Sequence, residues 1–220
     1  MIEEAFFDIE TLPVHEGPML DVFMATVKPP GNIKKPESIQ AWLLNEDNMK
    51  EARLKTSFDA LYGSICSISV AIGDDKPKCF TATNFSRESE KEIILAFLEA
   101  IRDQDNKQRT LVGHYIKDFD IPFMSKRMLL HGLGSLFPFG QKPWDMNAQC
   151  THEMFGCGTK DSASLHNLCM ALGVKTPKGD LDGSMIYLAF LDGEFDRIAK
   201  YNNEDVVSMR ECYRRMTARV

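Results

Sequence analysis

Ala5-Phe6-Phe7-Asp8-Ile9-Glu10-Thr11 is the stretch that decides how this chain is read. It is an apolar run closed by two carboxylates. In a strand the side-chain period is two, so Asp8 and Glu10 point to the same face. Two ionised acids that close repel each other, and a fold rarely keeps them uncompensated. A hard divalent cation, Mg²⁺ or Mn²⁺, is the usual compensation, because it takes oxygen ligands. An isolated Asp-x-Glu reads more simply as a solvated strand end. Two further acidic positions elsewhere in the chain turn the reading towards a cation site.

The chain has 220 residues, 44% hydrophobic and 26% charged, which is ordinary globular composition and most simply one domain over residues 1–220. No apolar run approaches membrane-spanning length, and the acidic N-terminal residues do not resemble a secretion signal. The expectation is a soluble protein of a bacterial or phage-type host cytoplasm. Six cysteines stand at 66, 79, 150, 157, 169 and 212, several within apolar stretches, which favours buried free thiols. Cys150, His152 and Cys157 suggest zinc only faintly, since no C-x-x-C element is present. A net charge of −6 argues against a broad basic face that coats duplex DNA. It leaves room for a short single strand gripped at a metal-loaded cleft.

Outward from the first strand, residues 10–36 carry five prolines and read as loop, with one short strand near 20–27. Residues 37–56 read as irregular amphipathic helix. Residues 20–60 together suggest a flap over the cleft or a cover for the sheet edge. Two β-rich runs, 64–72 and 78–84, flank Gly73-Asp74-Asp75-Lys76-Pro77 as an antiparallel hairpin. A helix over 87–102 follows, then a strand at 110–114, a helix over 119–131 and a strand at Trp144-Asp145-Met146. A helix over 162–172 starts at Ser162 or Ser164 and stops at Gly173. Helices near 183–192 and 194–217 complete an α/β pattern with a mixed sheet.

Three segments now stand in order. The first is Asp8-Ile9-Glu10, the second ends at Phe119-Asp120, and the third is Tyr201-Asn202-Asn203-Glu204-Asp205. On a helix Tyr201 and Asp205 are one turn apart and share a face. The ordered set resembles the three motifs of the DEDD superfamily of 3′–5′ exonucleases, in the branch marked by Tyr-x-x-x-Asp. It is most similar to the stand-alone relatives of the proofreading domain of family-B DNA polymerases. Ser164-Leu165-His166-Asn167-Leu168 and Lys178-Gly179-Asp180-Leu181-Asp182-Gly183 add to that resemblance.

The resemblance implies a ribonuclease H-like fold, with sheet order 3-2-1-4-5 and only strand 2 antiparallel. It implies hydrolysis of a terminal phosphodiester with two divalent cations. Asp8 would bridge both ions, Glu10 and Asp205 would hold the one that activates water, and Asp120 would support the second. Tyr201 would align the water. Thr11, Leu12, Tyr115, Lys117, Phe119 and Lys178 are the candidate substrate contacts. Relatives often carry asparagine where this chain has Tyr115, which either stacks on a base or packs in the core.

The remaining polar residues read more plainly. Lys126 and Arg127 suggest a solvated helix face. His114 and His166 read as structural histidines, and Asp182 as a helix cap. Asp118 and Glu204 should point away from the catalytic acids. The expected activity is 3′–5′ hydrolysis of single-stranded DNA or frayed 3′ ends, releasing nucleoside 5′-monophosphates. It would act in trans to a polymerase or beside repair and recombination proteins, with no membrane partner. Two alternatives stay open: an exoribonuclease of the same fold, because only handling of the 2′-OH separates RNA from DNA, and a non-catalytic nucleic-acid-binding module.

Overall fold

The computed structural model describes residues 3–102, 109–136, 140, 142, 145–159, 163–176 and 181–218. Lys178, Trp144 and Ser162 of the sequence reading lie outside these residues.

Five strands form one sheet: β1 (Glu4–Leu12), β2 (Ser64–Ile72), β3 (Lys78–Thr81), β4 (Thr110–Gly113) and β5 (Ala148–Cys150). The spatial order is β3-β2-β1-β4-β5. β1 pairs parallel with β4, β4 parallel with β5, and only β2 runs against the others. This is the expected ribonuclease H-like order.

The alternation in β1 sorts its residues between two cores. Ala5, Phe7 and Ile9 face the larger one, with Ile94 and Phe97 of α4 (Arg87–Ile101) and Ile121 and Met124 of α5 (Asp120–Leu130). Phe6 faces the other side, where it packs with Val206, Met209 and Tyr213 of α9 (Phe195–Met216). Asp8 and Glu10 share the parity of Phe6, so both turn towards α9. Their cross-strand partners on β2 are Ser69 and Ser67, two small buried residues that leave room for the carboxylates. The pairing slips after Glu10, where Thr11 meets Ile65 and Cys66 is left without a partner on β1.

A buried ion network fixes the helices that carry the site. Glu90 of α4 accepts from Arg127 Nε at 2.7 Å and from the Ile65 amide at 2.8 Å, and pairs with His131 Nε2 at 2.8 Å. Arg127 also donates to the Ala60 carbonyl at 3.0 Å. Burial pushes the Glu90 carboxyl up, but its bonds to His131 and Arg127 outweigh that and hold it below the ordinary value. Arg127 is therefore no solvated face residue. It ties α5 to α4 and to the chain entering β2.

Three local expectations need correction. Residues Pro18–Thr26 form a helix, α1, not loop with a strand near 20–27. Pro18 occupies the first helical turn, where its missing N–H costs nothing. Two more helices follow, α2 (Pro36–Leu44) and α3 (Glu46–Leu54), and none of the three contributes a buried residue. Arg53 fastens α3 to the chain after β1, donating to the carbonyls of Val14 at 2.8 Å and His15 at 2.6 Å. The fifth strand begins at Ala148, past Trp144-Asp145-Met146. The amides of Asp145 and Met146 close a turn on Lys142, at 2.9 and 3.2 Å, and cannot join the ladder. A short helix, α6 (Thr151–Gly156), occupies the stretch weighed as a zinc site.

The later helices follow the caps. α7 (Leu165–Leu172) starts at Ser164, whose hydroxyl accepts from the Asn167 amide at 3.2 Å, and stops at left-handed Gly173. Asp182 caps a 3-10 turn leading into α8 (Ile186–Leu191), accepting from the Ser184 amide at 2.8 Å. No helix among the described residues is long and apolar enough to cross a membrane.

Candidate metal centre

The sheet and α9 bring the motif residues together. Donor oxygens of Asp8, Glu10 and Asp205 all lie within 4.8 Å of one another. Among the described residues this is the only group of three or more His, Cys, Asp or Glu side chains close enough to hold an ion. Cys150, His152 and Cys157 do not converge. Asp120, at the start of α5, is buried and accepts from the Ile9 amide at 3.2 Å, which fixes it against β1 between the two first-motif acids. Tyr201 stands one turn before Asp205 on α9, and its hydroxyl acts on that carboxyl.

The electrostatics are those of a site short of positive charge. Burial pushes the Asp8 carboxyl well above the usual range, and the charges of Asp120, Glu10 and Asp205 push it further. Glu10 is raised in the same way by burial, Asp205 and Asp120. Burial takes Asp120 to about 7 and Asp205 to about 6, although the Tyr201 bond pulls Asp205 back down. Burial and the neighbouring acids also raise the Tyr201 phenol, so it keeps its proton across the physiological range. Oxygen donors of like charge, converging and unneutralised, fit a hard divalent cation.

The sign of the pH dependence follows. These acids bind protons more tightly folded than unfolded, so the folded state holds more protons between roughly pH 4 and pH 7. Stability of the metal-free protein should fall as pH rises through that window. Mn²⁺ should restore it near pH 7 and do less near pH 5, where protons compete for the ligands. Thermal melts in EDTA and in Mn²⁺ across this range check it. A metal-free melting curve that does not steepen downward relative to Asp205→Asn would refute it.

A cavity of about 370 Å³ opens over the cluster, lined by Asp8, Glu10, Asp205, Phe119, Tyr115 and Phe58 among others. The turn that brings Tyr115 there depends on Gly113, where a Cβ would meet Ile116 at 2.7 Å. Tyr115 itself has φ 64, the left-handed region, and its carbonyl accepts the amides of Asp118 and Phe119. It is no core residue: it is 41% exposed, and its ring lies against His152 at a tilt of 31°, with centroids 3.9 Å apart. Asparagine tolerates φ > 0 far better than tyrosine, a physical reason for asparagine at this turn.

Phe58 was not anticipated. It ends a 3-10 turn, Lys55–Phe58, is 73% exposed, and meets Phe119 edge-on at 6.0 Å. The turn is pinned beside β1 by Thr11 Oγ1, which donates to the Ser57 carbonyl at 2.8 Å, and by the Val14 amide on Thr56 Oγ1 at 2.9 Å. No periodicity announces Phe58; only this tertiary pin places it at the cleft.

Other candidate contacts are reassigned. The Thr11 hydroxyl is engaged by that pin. Leu12 is 2% exposed and belongs to the larger core, so its side chain is not offered to a strand. The Lys117 ammonium pairs with Glu153 at 2.7 Å. His114 is structural, as read: it bonds Thr151 Oγ1 and the Ala163 carbonyl, both at 2.9 Å, and burial drops its pKa to about 4. Asp118 is exposed, and Glu204 lies 3.9 Å from Lys200, although its charge still acts on Asp205.

Comparison with known proteins agrees with this architecture. The structure of the family B DNA polymerase from the hyperthermophilic archaeon Pyrobaculum calidifontis superposes with TM-score 0.61 over 96% of this chain, at 15% identity. The chain spans 24% of that polymerase's length. No curated protein is similar enough to count as a match. Residues 56–219 match a family described as a predicted 3′–5′ exonuclease related to the exonuclease domain of PolB. That segment contains Asp120, Tyr201 and Asp205, while Asp8 and Glu10 lie on β1, well before its start at residue 56. By this match over most of its length, the chain belongs to that family of PolB-related 3′–5′ exonucleases.

Proposed function

We propose that the protein removes nucleotides from the 3′ end of single-stranded DNA or frayed duplex ends, releasing nucleoside 5′-monophosphates. The observation that carries this is the convergence of Asp8, Glu10 and Asp205 within 4.8 Å, with Asp120 and Tyr201 against them, at the floor of an open cleft. Asp8, Glu10, Asp120 and Asp205 would hold two divalent cations, Mg²⁺ or Mn²⁺. Those ions would supply Lewis-acid charge for a water nucleophile and for the phosphate.

The chain's own groups do the rest. Tyr201 keeps its proton, so it is not a general base. Its oxygen retains lone pairs that accept a hydrogen from the attacking water and so set its direction. Tyr115 and Phe58 present exposed rings at the cleft, and unpaired bases stack on such rings without regard to sequence. Stacking of that kind requires a base free of its partner, which favours single strands and frayed ends. A polymerase acting in trans, or repair and recombination proteins, would supply such ends.

The test uses 5′-labelled DNA and RNA oligonucleotides of one sequence, with Mn²⁺ or with EDTA. A ladder shortening from the 3′ end of DNA, abolished by EDTA, is the expected result. Faster degradation of RNA would make the protein an exoribonuclease. Retention of the strand without cleavage in Mn²⁺ would make it a binding module.

A further inference from the structure

Asn202 is fully buried, at 0% exposure, and neither its amide nitrogen nor its carbonyl oxygen has a hydrogen-bond partner among the described residues. A carboxamide carries two N–H donors and an accepting oxygen, and buried polar groups in folded proteins are almost always bonded. It lies in the stripe of α9 that faces the sheet, with Ile198, Val206, Met209 and Tyr213. Packing alone would favour an aliphatic residue at that place.

The helix register says what Asn202 faces. The Tyr213 hydroxyl reaches Glu4 Oε1 at 3.2 Å, and Val206 and Met209 pack on Phe6. α9 therefore follows β1 residue pair by residue pair towards its carboxyl end. One turn back from Val206 comes Asn202, and the next residue pair along that face of β1 brings Asp8. The neighbours of Asn202 agree. Asn203 Oδ1 accepts from Ser69 Oγ at 2.7 Å, and Ser69 is the cross-strand partner of Asp8. Tyr201, on the other side, lies close enough to the acids that the charges of Asp205, Glu10 and Asp8 raise its phenol. The orphan carboxamide thus meets the sheet at the level of Asp8, beneath the acid cluster.

We propose that Asn202 is a positioning residue of the metal centre: its Nδ2, unbonded in the metal-free protein, takes up the Asp8 carboxylate when the cation binds and holds that group turned towards the ion. The inference rests on the reading of the acid cluster as a divalent metal centre. A neutral donor suits the place. A lysine or arginine there would satisfy Asp8 but compete with the cation, whereas an amide orients the carboxylate and leaves its charge for the ion.

Asn202→Leu keeps the volume and removes the polar atoms. Without metal its melting temperature should equal or exceed that of the wild type, because an unbonded buried amide has been replaced by packing. Its affinity for Mn²⁺, read by calorimetric titration without substrate, should fall roughly 10- to 100-fold. A purely structural residue would not separate the two readouts in this way. Should Asn202→Leu misfold, Asn202→Ala carries the same affinity test. Wild-type Mn²⁺ affinity in the folded variant overturns the proposal. Asp8→Asn, titrated alongside, separates the two levels of the argument. If it loses Mn²⁺ binding while the Asn202 variant keeps it, only the role of Asn202 fails. If Asp8→Asn also binds as wild type, the metal-centre reading fails with it.

Discussion

Asp8→Ala is expected to abolish hydrolysis without weakening the fold. Asp8 sits at the centre of the cluster, where Asp120, Glu10 and Asp205 all act on its charge. Metal-borne charge stabilisation amounts to several kcal/mol of transition-state energy, and each 1.36 kcal/mol is tenfold in rate. Loss of one of the acids proposed to hold the ions should therefore lower the rate by about 10³-fold or more. The same substitution removes one of four crowded acids, so the metal-free melting temperature should hold or rise. A 5′-labelled strand incubated with excess variant in Mn²⁺, together with a melt in EDTA, measures both. Cleavage near the wild-type rate would sink the metal assignment. A collapsed melt would show that Asp8 is structural.

Tyr201→Phe should lower the rate of the chemical step by about 10²–10⁴-fold, the usual contribution of a group that positions or hands on a proton. The ring stays, so packing persists, and the strand should bind about as tightly as before. A second consequence has a definite sign. The Tyr201 hydroxyl holds the Asp205 carboxyl down, so its removal lets Asp205 rise above about 6. The acid limb of the pH–rate profile should then move to higher pH. Asp205→Asn should be at least as damaging, since it removes a ligating charge. Single-turnover digestion of a 3′-labelled strand at saturating Mn²⁺ resolves the loss. Wild-type cleavage by Tyr201→Phe would mean that another group aligns the water.

The parts of the site that follow local periodicity were legible in the sequence. Period two put Asp8 and Glu10 on one face, and a one-turn spacing put Tyr201 over Asp205; the fold then brings these pairs to one place. The β2–β3 hairpin and the cap at Ser164 were legible for the same reason, since turn and cap chemistry is local. What escaped depends on tertiary context. Pro18 reads as a breaker until it is known to stand at a helix start. Trp144-Asp145-Met146 reads as a strand until the turn closed on the Lys142 carbonyl is seen to hold the amides of Asp145 and Met146. Arg127 reads as solvated until Glu90, far away in sequence, is seen beside it. Phe58 gives no signal of its own, because a side-chain bond from Thr11 brings it to the cleft. Leu12 follows the motif directly yet belongs to the core, so nearness in sequence to a catalytic acid is poor evidence of substrate contact.

The sheet ends in two short strands, four residues of β3 beginning at exposed Lys78 and three residues of β5. A border so brief offers a passing chain few rungs on which to seat itself, and a lysine at its tip repels a like copy. Growth of fibrils by strand addition is correspondingly disfavoured, so concentrated preparations should stay dispersed, and turbidity on standing would trace to unfolded molecules rather than to native ones joining edge to edge.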